Sequence, residues 1–236
     1  MILYAMLTLV VFILLAMIHR YDMHHREPWF MVVLAIACGA AGCWLIGPVA
    51  DWLLVRFELF DSLSLALMAG TTEELTKFAI VLAIALLFPQ FFNDPMDGIV
   101  YGALAGLGFA LTESVFYIDL TQQQQPDIAE HDLFGQEAVR SVLHFVTGGL
   151  SGFGVGLARV KAPQWPVILP TWLGASILIH FAWDFACGLH AAQGFSQTIW
   201  QRTAAIGLML VSLVLFRIAV WVAHHWAELQ TEPMTD

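Results

Sequence analysis

The sequence predicts an all-α, polytopic membrane protein with about seven transmembrane helices. Of its 236 residues, 59% are hydrophobic and only 12% are charged, whereas a soluble domain carries about 25% charged residues. The mean hydropathy is +0.76, and apolar runs near the roughly 20 residues that span a bilayer recur along the chain. Because no stretch has the composition of a separate soluble domain, we expect residues 1–236 to form one integral membrane domain.

Seven apolar segments are predicted to cross the membrane in turn. They are residues 2–18, 29–50, 63–88, 97–119, 137–158, 167–190 and 203–223. The first lacks the basic start and the small-residue cleavage site of a signal peptide, so we expect it to remain as a membrane helix. Polar residues interrupt the third and the sixth. Glycines recur at four-residue spacing in the fourth and the fifth, which predicts close contact between helices in lipid.

Basic residues beside these segments give the expected orientation, because cytoplasmic loops carry an excess of lysine and arginine. Five of them lie on one side of the membrane, namely Arg20, Arg26, Arg159, Lys161 and Arg217. Two lie on the other side, Arg56 and Arg202. We therefore expect the N-terminus outside, the C-terminus in the cytoplasm, and the acidic, glutamine-rich loop 120–136 facing outward.

Charge and cysteine content argue against two other kinds of protein. The net charge of −10 argues against nucleic acid as a partner, and the lipid bilayer is the expected surrounding. Cys38, Cys43 and Cys187 lie in apolar segments without a CxxC pattern. We interpret them as small packing residues rather than as a disulfide framework.

The third predicted span contains the most unusual segment, GTTEELTKF, which places Glu73, Glu74 and Lys77 at bilayer depth. A charged side chain at the centre of a membrane helix costs about 3 kcal/mol on insertion scales, so such residues usually have a function. On a helix, Lys77 is a neighbour of both glutamates and offsets part of their burial cost. One carboxylate could then take and return a proton during catalysis. A structural ion pair between helices is the other interpretation.

Three further predicted spans also hold ionisable residues. Glu113 stands alone in the fourth span, so an ionised Glu113 needs a partner from another helix, and a neutral hydrogen-bonded acid is the alternative. Arg140 and His144 share a helix face in the fifth span, and His180 and Asp184 share one in the sixth. Imidazole is the commonest protein ligand of metals such as zinc, although a lone buried histidine is more often only hydrogen-bonded.

Taken together, these side chains satisfy the requirements of a zinc hydrolase. Such a site needs three nitrogen or oxygen ligands, an open position for water, and a general base. His144, His180 and one glutamate would bind Zn²⁺, and another glutamate would activate the water. Hydrolysis within a membrane requires a polar pocket of this kind, enclosed by helices.

Several short motifs also follow one another in a fixed order. They are REPW at 26–29, EExxK at 73–77, DGxxYG at 97–102, GFxxxE at 108–113, His144 before a glycine-rich stretch, and HxxWDF at 180–185. In that order they resemble the PrsW family of bacterial intramembrane proteases. The family is similar to the wider group of CAAX prenyl proteases, from whose pattern this chain departs at Glu113 and at Asp184.

The resemblance implies an intramembrane endopeptidase of the bacterial cytoplasmic membrane, with Zn²⁺ as its cofactor. Its substrate would be a membrane-spanning or membrane-anchored protein. Some members of the family make the first cut in an anti-sigma factor. In the CAAX relatives, a glutamate-activated water without a metal has been argued instead, so a metal-free glutamate protease is the alternative.

Each residue of the implied site has an expected role. Glu73 or Glu74 would activate the water, with Glu74 as the preferred candidate, and Lys77 would orient the pair. Three residues are the expected zinc ligands, namely Glu113, His144 and His180. Asp184 would orient His180 or add a further ligand, and Arg140 would pair with one of the carboxylates.

Two other functional classes stay open from the residues alone. A proton- or ion-coupled transporter also carries Asp, Glu and His side chains within the membrane. Transporters usually show internal repeats, and no convincing repeat relates the two halves of this chain. A noncatalytic scaffold would use the same charges to hold its helices together.

Overall fold

The computed structural model of the chain describes residues 2–21, 27–124, 126–187 and 199–231. These residues form seven α-helices and contain no strand, which confirms the all-α class. The helices are α1 (Ile2–Tyr21), α2 (Trp29–Phe57), α3 (Ser62–Leu87), α4 (Pro95–Gln124), α5 (Glu130–Val160), α6 (Trp165–Cys187) and α7 (Ile199–Thr231). Short 3₁₀ turns precede α4 and α6, at Pro89–Phe91 and Ala162–Gln164. Arg26 of the predicted REPW motif and residues 188–190 of the sixth predicted span lie outside the described residues.

Five of the described helices are long and apolar enough to cross a membrane, namely α2, α4, α5, α6 and α7. The chain is therefore a multi-pass helical membrane protein. Helix α3 is not among the five, because every 18-residue stretch of it contains three charged residues, namely Glu73, Glu74 and Lys77. The described apolar part of α1, Leu7–Arg20, is shorter. Membrane crossing by α1 and α3, and hence the total of seven spans, stays a prediction.

The start of α3 is fixed by a side-chain cap. Asp61 accepts hydrogen bonds from the backbone N–H groups of Leu63 and Ser64, both at 3.1 Å. These bonds satisfy two of the donors that a helix leaves unpaired at its first turn. Hydrogen bonding from Ser64 lowers the pKa of the Asp61 carboxyl. The cap sets the register of α3, on which Glu73 and Glu74 follow about three turns later.

Helices α4 and α5 pack with their backbones in contact, as the glycine spacing predicted. A methyl group at Gly98 would collide with the carbonyl of Gly152, and one at Gly102 with the carbonyl of Gly148. A methyl group at Gly106 would collide with the carbonyl of His144. Contacts repeated every four residues along antiparallel helices fix their register, and they bring His144 to the surface of α4.

Helix α3 packs with one side against α2, α4, α5 and α6, and leucines on its other side are exposed. Gly70 allows α6 to approach, because a methyl group there would lie 2.9 Å from the backbone nitrogen of Phe181. At the far end of α3, the Arg159 guanidinium on α5 donates hydrogen bonds to the carbonyls of Ala85 and Pro89, both at 3.1 Å. The glutamate pair on α3 is therefore held against the histidines of α5 and α6.

Candidate functional site

The site residues predicted from the sequence meet inside the bundle, where α3, α4, α5 and α6 come together. Four of their side chains are almost completely buried: Glu74, Lys77, His144 and His180. Three more are partly exposed, with exposed fractions between 14% and 22%: Glu73, Glu113 and Asp184. Residues that lie up to 111 positions apart in the sequence thus form one polar cluster in an apolar protein.

Glu74 is the most heavily bonded member of this cluster. Its Oε1 atom accepts hydrogen bonds from the Lys77 ammonium and from the Thr147 hydroxyl, the latter at 2.9 Å. The same oxygen lies 2.7 Å from Nδ1 of His180. Lys77 therefore pairs with Glu74, three residues before it, rather than equally with both glutamates. One carboxylate oxygen connects α3, α5 and α6.

Glu73 has different surroundings from its neighbour. Its Oε2 atom has no hydrogen-bond partner among the described residues. It lies 3.8 Å from Nδ1 of His144 and 3.6 Å from Nε2 of His180. Asp184 approaches the same nitrogen of His180, at 3.4 Å, from one turn further along α6. The unbonded Oε2 atom of Glu73 therefore faces both imidazoles.

His144 joins the glutamate of α4 to the lysine of α3. Its Nε2 atom lies 2.9 Å from Oε2 of Glu113. His144 is therefore the partner from another helix that an ionised Glu113 was predicted to need. Its Nδ1 atom lies 3.1 Å from Nζ of Lys77. The ring stacks on Phe109, with centroids 5.5 Å apart and planes 16° from parallel. Contacts on the face and on both nitrogens fix the orientation of this imidazole.

Glu73, His144 and His180 form the group of described residues that could hold a metal ion, with one ligand atom from each lying within 4.8 Å of the others. Glu113, the expected third ligand, instead contacts the ring nitrogen of His144 that points away from Glu73. Metal-binding histidines usually hold their other nitrogen against a carboxylate or carbonyl. Glu74 provides that contact for His180, and Glu113 provides it for His144.

The charge of the cluster also suits a cation. Four carboxylates, from Glu73, Glu74, Glu113 and Asp184, face one ammonium, from Lys77, so the group carries −3 when all are ionised and both imidazoles are neutral. Unbalanced charge is strongly unfavourable away from water. A divalent cation or bound protons would reduce the imbalance, and the nitrogen and oxygen donors fit a divalent cation such as Zn²⁺.

The side chains of the site become more exposed toward the end of the bundle that carries the α2–α3 and α4–α5 loops, which we call the opening of the site. On α5, side-chain exposure rises from 2% at His144 to 23% at Arg140, one turn nearer that end. On α6, it rises from 3% at His180 to 22% at Asp184, also one turn nearer. Glu113 lies eleven residues before the end of α4, which corresponds to a depth of about 16 Å.

Arg140 forms the rim of this opening. Its Nη1 atom donates to Oε2 of Glu137 at 2.9 Å, and its guanidinium carbon lies 3.9 Å from the ring centroid of Tyr117 on α4. Arg140 therefore pairs with Glu137, which the sequence did not single out, rather than with one of the site carboxylates as expected. Tyr117 and Arg140 lie one turn further out than Glu113 and His144, so the two pairs follow each other along the α4–α5 interface.

Thr147 is the other site residue that sequence reasoning missed. It is fully buried and contacts Glu74 directly. Its only signal in the sequence is its position three residues after His144, on the same face of the predicted helix. A single threonine within an apolar, glycine-rich helix is too common to identify a site by itself.

Comparison with known proteins agrees with the motif order. Residues 27–222 match the family described as PrsW family intramembrane metalloprotease. The chain belongs to the PrsW family. Protease PrsW of Clostridioides difficile (strain 630) is 32% identical over 106 residues, which cover 43% of this chain and 44% of that relative. Protease PrsW of Bacillus subtilis (strain 168) is 28% identical over 180 residues, which cover 73% of this chain and 76% of that relative.

Membership of the PrsW family confirms the resemblance drawn from the motifs. It places the chain among membrane peptidases, for which the lipid bilayer and a protein substrate are the expected partners. The first alignment spans less than half of its relative, and the second spans about three quarters. No solved structure matches the chain.

Proposed function

We propose that this PrsW-family chain is an intramembrane endopeptidase in which Glu73 activates the attacking water. The observation that supports this most strongly is the position of Glu73, whose buried Oε2 atom faces both imidazoles from a side chain that is 14% exposed. The Oε2 atoms of Glu73 and Glu74 both lack a hydrogen-bond partner among the described residues, so this position distinguishes the two. Glu74 was the preferred base from the sequence. Its side chain is fully buried, and its Oε1 atom already meets three donors, so the contacts favour Glu73 instead.

The proposed hydrolysis uses Glu73 to move one proton. Its carboxylate accepts a proton from a water held between it and the imidazoles, while the water oxygen bonds to the carbonyl carbon of the scissile peptide. The carbon–nitrogen bond then breaks, and Glu73 returns the proton to the leaving amine. Donors near the carbonyl oxygen stabilise the negative charge that develops there. His180 is the side chain placed to do so when its Nε2 atom carries a proton, because both nitrogens of His144 are engaged by Lys77 and Glu113.

The neighbouring residues have supporting roles in this proposal. Glu74 fixes the ring of His180 through Nδ1, and Lys77 neutralises Glu74. Glu113 fixes the ring of His144 through Nε2. Asp184 lies beside Nε2 of His180 and can hold that imidazole in its protonated form. Each histidine thus has one nitrogen held by a carboxylate and the other turned toward Glu73.

We further propose that Glu73, His144 and His180 would hold a divalent cation, most suitably Zn²⁺. The closeness of their donor atoms, the carboxylates behind both histidines, and the excess negative charge all support such a site. The bound ion would supply Lewis-acid chemistry for peptide hydrolysis. With Glu73 as a ligand in the metal-bound form, Asp184 would be the proton acceptor, since its carboxylate lies 3.4 Å from Nε2 of His180.

One contact supports the metal-free alternative. Nζ of Lys77 lies 3.1 Å from Nδ1 of His144, the nitrogen that faces Glu73. The Lys77 ammonium and a metal ion would compete for the lone pair of this nitrogen. Ion binding therefore requires Lys77 to give up its contact with His144 and to keep its bonds to Glu74 and Thr147. In the metal-free form, Glu73 alone would activate the water. Metal analysis of the purified protein, described in the Discussion, separates the two.

The proposed substrate is a protein with a single membrane span, of which an anti-sigma factor is the example that the family suggests. The exposure of the site side chains rises toward the end of the bundle that carries the α4–α5 loop, and the expected orientation places this end outside the cytoplasm. We propose cleavage on that side of a bacterial cytoplasmic membrane. A reporter fused within loop 120–136 tests the orientation, and a cytoplasmic signal there would contradict it.

The function itself is tested with purified protein in lipid vesicles. We expect incubation with candidate single-span membrane proteins to give one defined cut, and the Glu73→Ala variant to give none. A transporter would move protons or ions without any cut. A scaffold would lose assembly rather than proteolysis when its glutamates are replaced. Full proteolysis by both the Glu73→Ala and the Glu74→Ala proteins would contradict the proposal.

A further inference from the structure

Thr147 lies where three of the site helices meet. Its side chain is fully buried, and its hydroxyl donates to Oε1 of Glu74 at 2.9 Å. The hydroxyl is also 3.5 Å from the His144 carbonyl, but a hydroxyl has a single proton, which the shorter contact assigns to Glu74. The remaining lone pairs face Nζ of Lys77 at 3.5 Å. Thr147 therefore belongs to the Glu74–Lys77 ion pair without carrying a charge.

The backbone of Thr147 is held from the opposite side. The Ser176 hydroxyl on α6 donates to the carbonyl oxygen of Thr147 at 2.9 Å. Ser176 precedes His180 by one turn of α6, and Thr147 follows His144 by nearly one turn of α5. This hydrogen bond therefore holds the two histidine-bearing helices together just below the imidazoles. Both hydroxyls are inaccessible to solvent.

The consequence for His180 follows from the bonding of Glu74. Nδ1 of His180 faces Oε1 of Glu74 at 2.7 Å, so the proton belongs on Nδ1 and the Nε2 atom points toward Glu73. This arrangement depends on the rotamer of Glu74. Lys77 alone, which lies on the same helix, does not fix the Glu74 carboxylate relative to α5. The Thr147 hydroxyl is the α5 group that does.

We infer that Thr147 is a positioning residue for hydrolysis, which acts by fixing Glu74 and, through Glu74, the orientation of the His180 ring. This inference rests on the proposed peptidase function. Substituting a group that orients a ligand or catalytic histidine typically costs 10- to 100-fold. The hydroxyl is what matters, so a serine at this position should serve and a valine should not.

The test compares Thr147→Val, Thr147→Ser and the matched control Ser151→Ala. Ser151 lies one turn further along α5 and is equally buried, but its hydroxyl bonds to the carbonyl of Gly148 in its own helix. We expect Thr147→Val to lower kcat about 10- to 100-fold with little change in KM, and to move the pH dependence of kcat. Thr147→Ser should stay within about threefold of the wild-type kcat, and Ser151→Ala should match the wild type.

Three outcomes would overturn the inference. The first is wild-type kcat in folded Thr147→Val protein, normalised to the active fraction. The second is a lower kcat with an unshifted pH profile that tracks lost thermal stability, which indicates packing alone. The third applies if Thr147→Val does not accumulate in the membrane, so that only Thr147→Ser can be assayed. A tenfold lower kcat in Thr147→Ser would then contradict the inference, because this variant keeps the hydroxyl. The Glu73→Gln protein, assayed in parallel, reports separately on the proposed base, because its retained activity would contradict the assignment of Glu73 and not this inference. Absence of any cut by the wild-type protein would instead contradict the proposed peptidase function.

Discussion

The Nδ1 atom of His180 lies 2.7 Å from the Oε1 atom of Glu74, although 106 residues separate them in the sequence. The contact gives the two adjacent glutamates different environments. Glu74 is directed into the bundle, where Lys77 and Thr147 share the same oxygen. Glu73 instead faces the imidazoles of His144 and His180 with its Oε2 atom, at 3.8 and 3.6 Å. We therefore assign the chemistry to the first glutamate of the pair and the support to the second.

Glu74→Gln should impair both stability and turnover. The amide carries no charge, so Lys77 loses its ion-pair partner, and His180 loses the carboxylate behind its ring. We expect kcat to fall about 10- to 100-fold while some activity remains. Steady-state kinetics and thermal unfolding of the purified variant check this. Glu130→Gln, on the exposed start of α5, is the control and should behave as the wild type. A stable Glu74→Gln protein without any detectable turnover would point to Glu74 as the base.

Purified protein should contain about one divalent cation per chain, and chelation should abolish proteolysis. His144→Ala and His180→Ala should each lose the ion as well as the activity, because each removes one of three candidate ligands. His131→Ala should lose neither, since that side chain is 81% exposed at the start of α5. Elemental analysis of the four proteins measures this. A metal-free protein that cleaves its substrate at the same rate with chelator present would favour the metal-free glutamate mechanism.

Gly106→Ala should displace α4 from α5 and separate Glu113 from His144. The added methyl group would meet the carbonyl of His144, which is backbone and cannot move aside as a side chain can. Overpacking of this kind costs about 1–3 kcal/mol, and the loss of activity should exceed what the loss of stability explains. Gly207→Ala is the control, because among the described residues no side chain beyond its immediate neighbours and no other helix lies within 4 Å of a methyl group placed there. Thermal unfolding and kcat measured on both variants provide the comparison, and equal behaviour of the two would contradict the packing argument.

Arg140→Gln should destabilise the rim by leaving Glu137 without its ion-pair partner. The Glu137 side chain is 2% exposed, and removing one member of a fully buried pair costs about 3–5 kcal/mol. Because Arg140 itself is 23% exposed, the cost should lie below that range. The double variant Glu137→Gln/Arg140→Gln should recover part of the lost stability, which a double-mutant cycle of unfolding free energies measures. Additive effects of the two substitutions would show that the pair is not coupled.

Helix positions could be predicted from the sequence better than helix ends. The second predicted span, 29–50, corresponds to α2 at Trp29–Phe57, and the fifth, 137–158, corresponds to α5 at Glu130–Val160. The predicted limits followed the apolar runs, which reflect the thickness of the hydrocarbon layer. A helix continues beyond that layer until a cap or turn ends it, as the left-handed Glu58 does after α2. Hydrophobicity carries no information about such ends.

The membership of the site could be predicted, but the division of labour within it could not. Ionisable residues stand out in apolar segments because their burial is costly, so Glu113, His144 and His180 were identifiable without a structure. Glu73 and Glu74 are chemically identical neighbours. Only the direction of each side chain, set by the packing of α3 against α5 and α6, distinguishes them. Thr147 was missed for a different reason. Burying an uncharged hydroxyl costs far less than burying a charge, so a threonine does not stand out in an apolar segment.

The most direct test of the account compares single-turnover cleavage by Glu73→Gln and wild-type protein in the same vesicles, with a single-span substrate. Glutamine keeps the shape of the side chain and removes its ability to accept the proton. We predict that Glu73→Gln folds and binds substrate like the wild type, and that its cleavage rate falls by about 10²- to 10⁴-fold. A Glu73→Gln protein that cleaves within threefold of the wild-type rate would contradict the assignment of Glu73 as the water-activating residue.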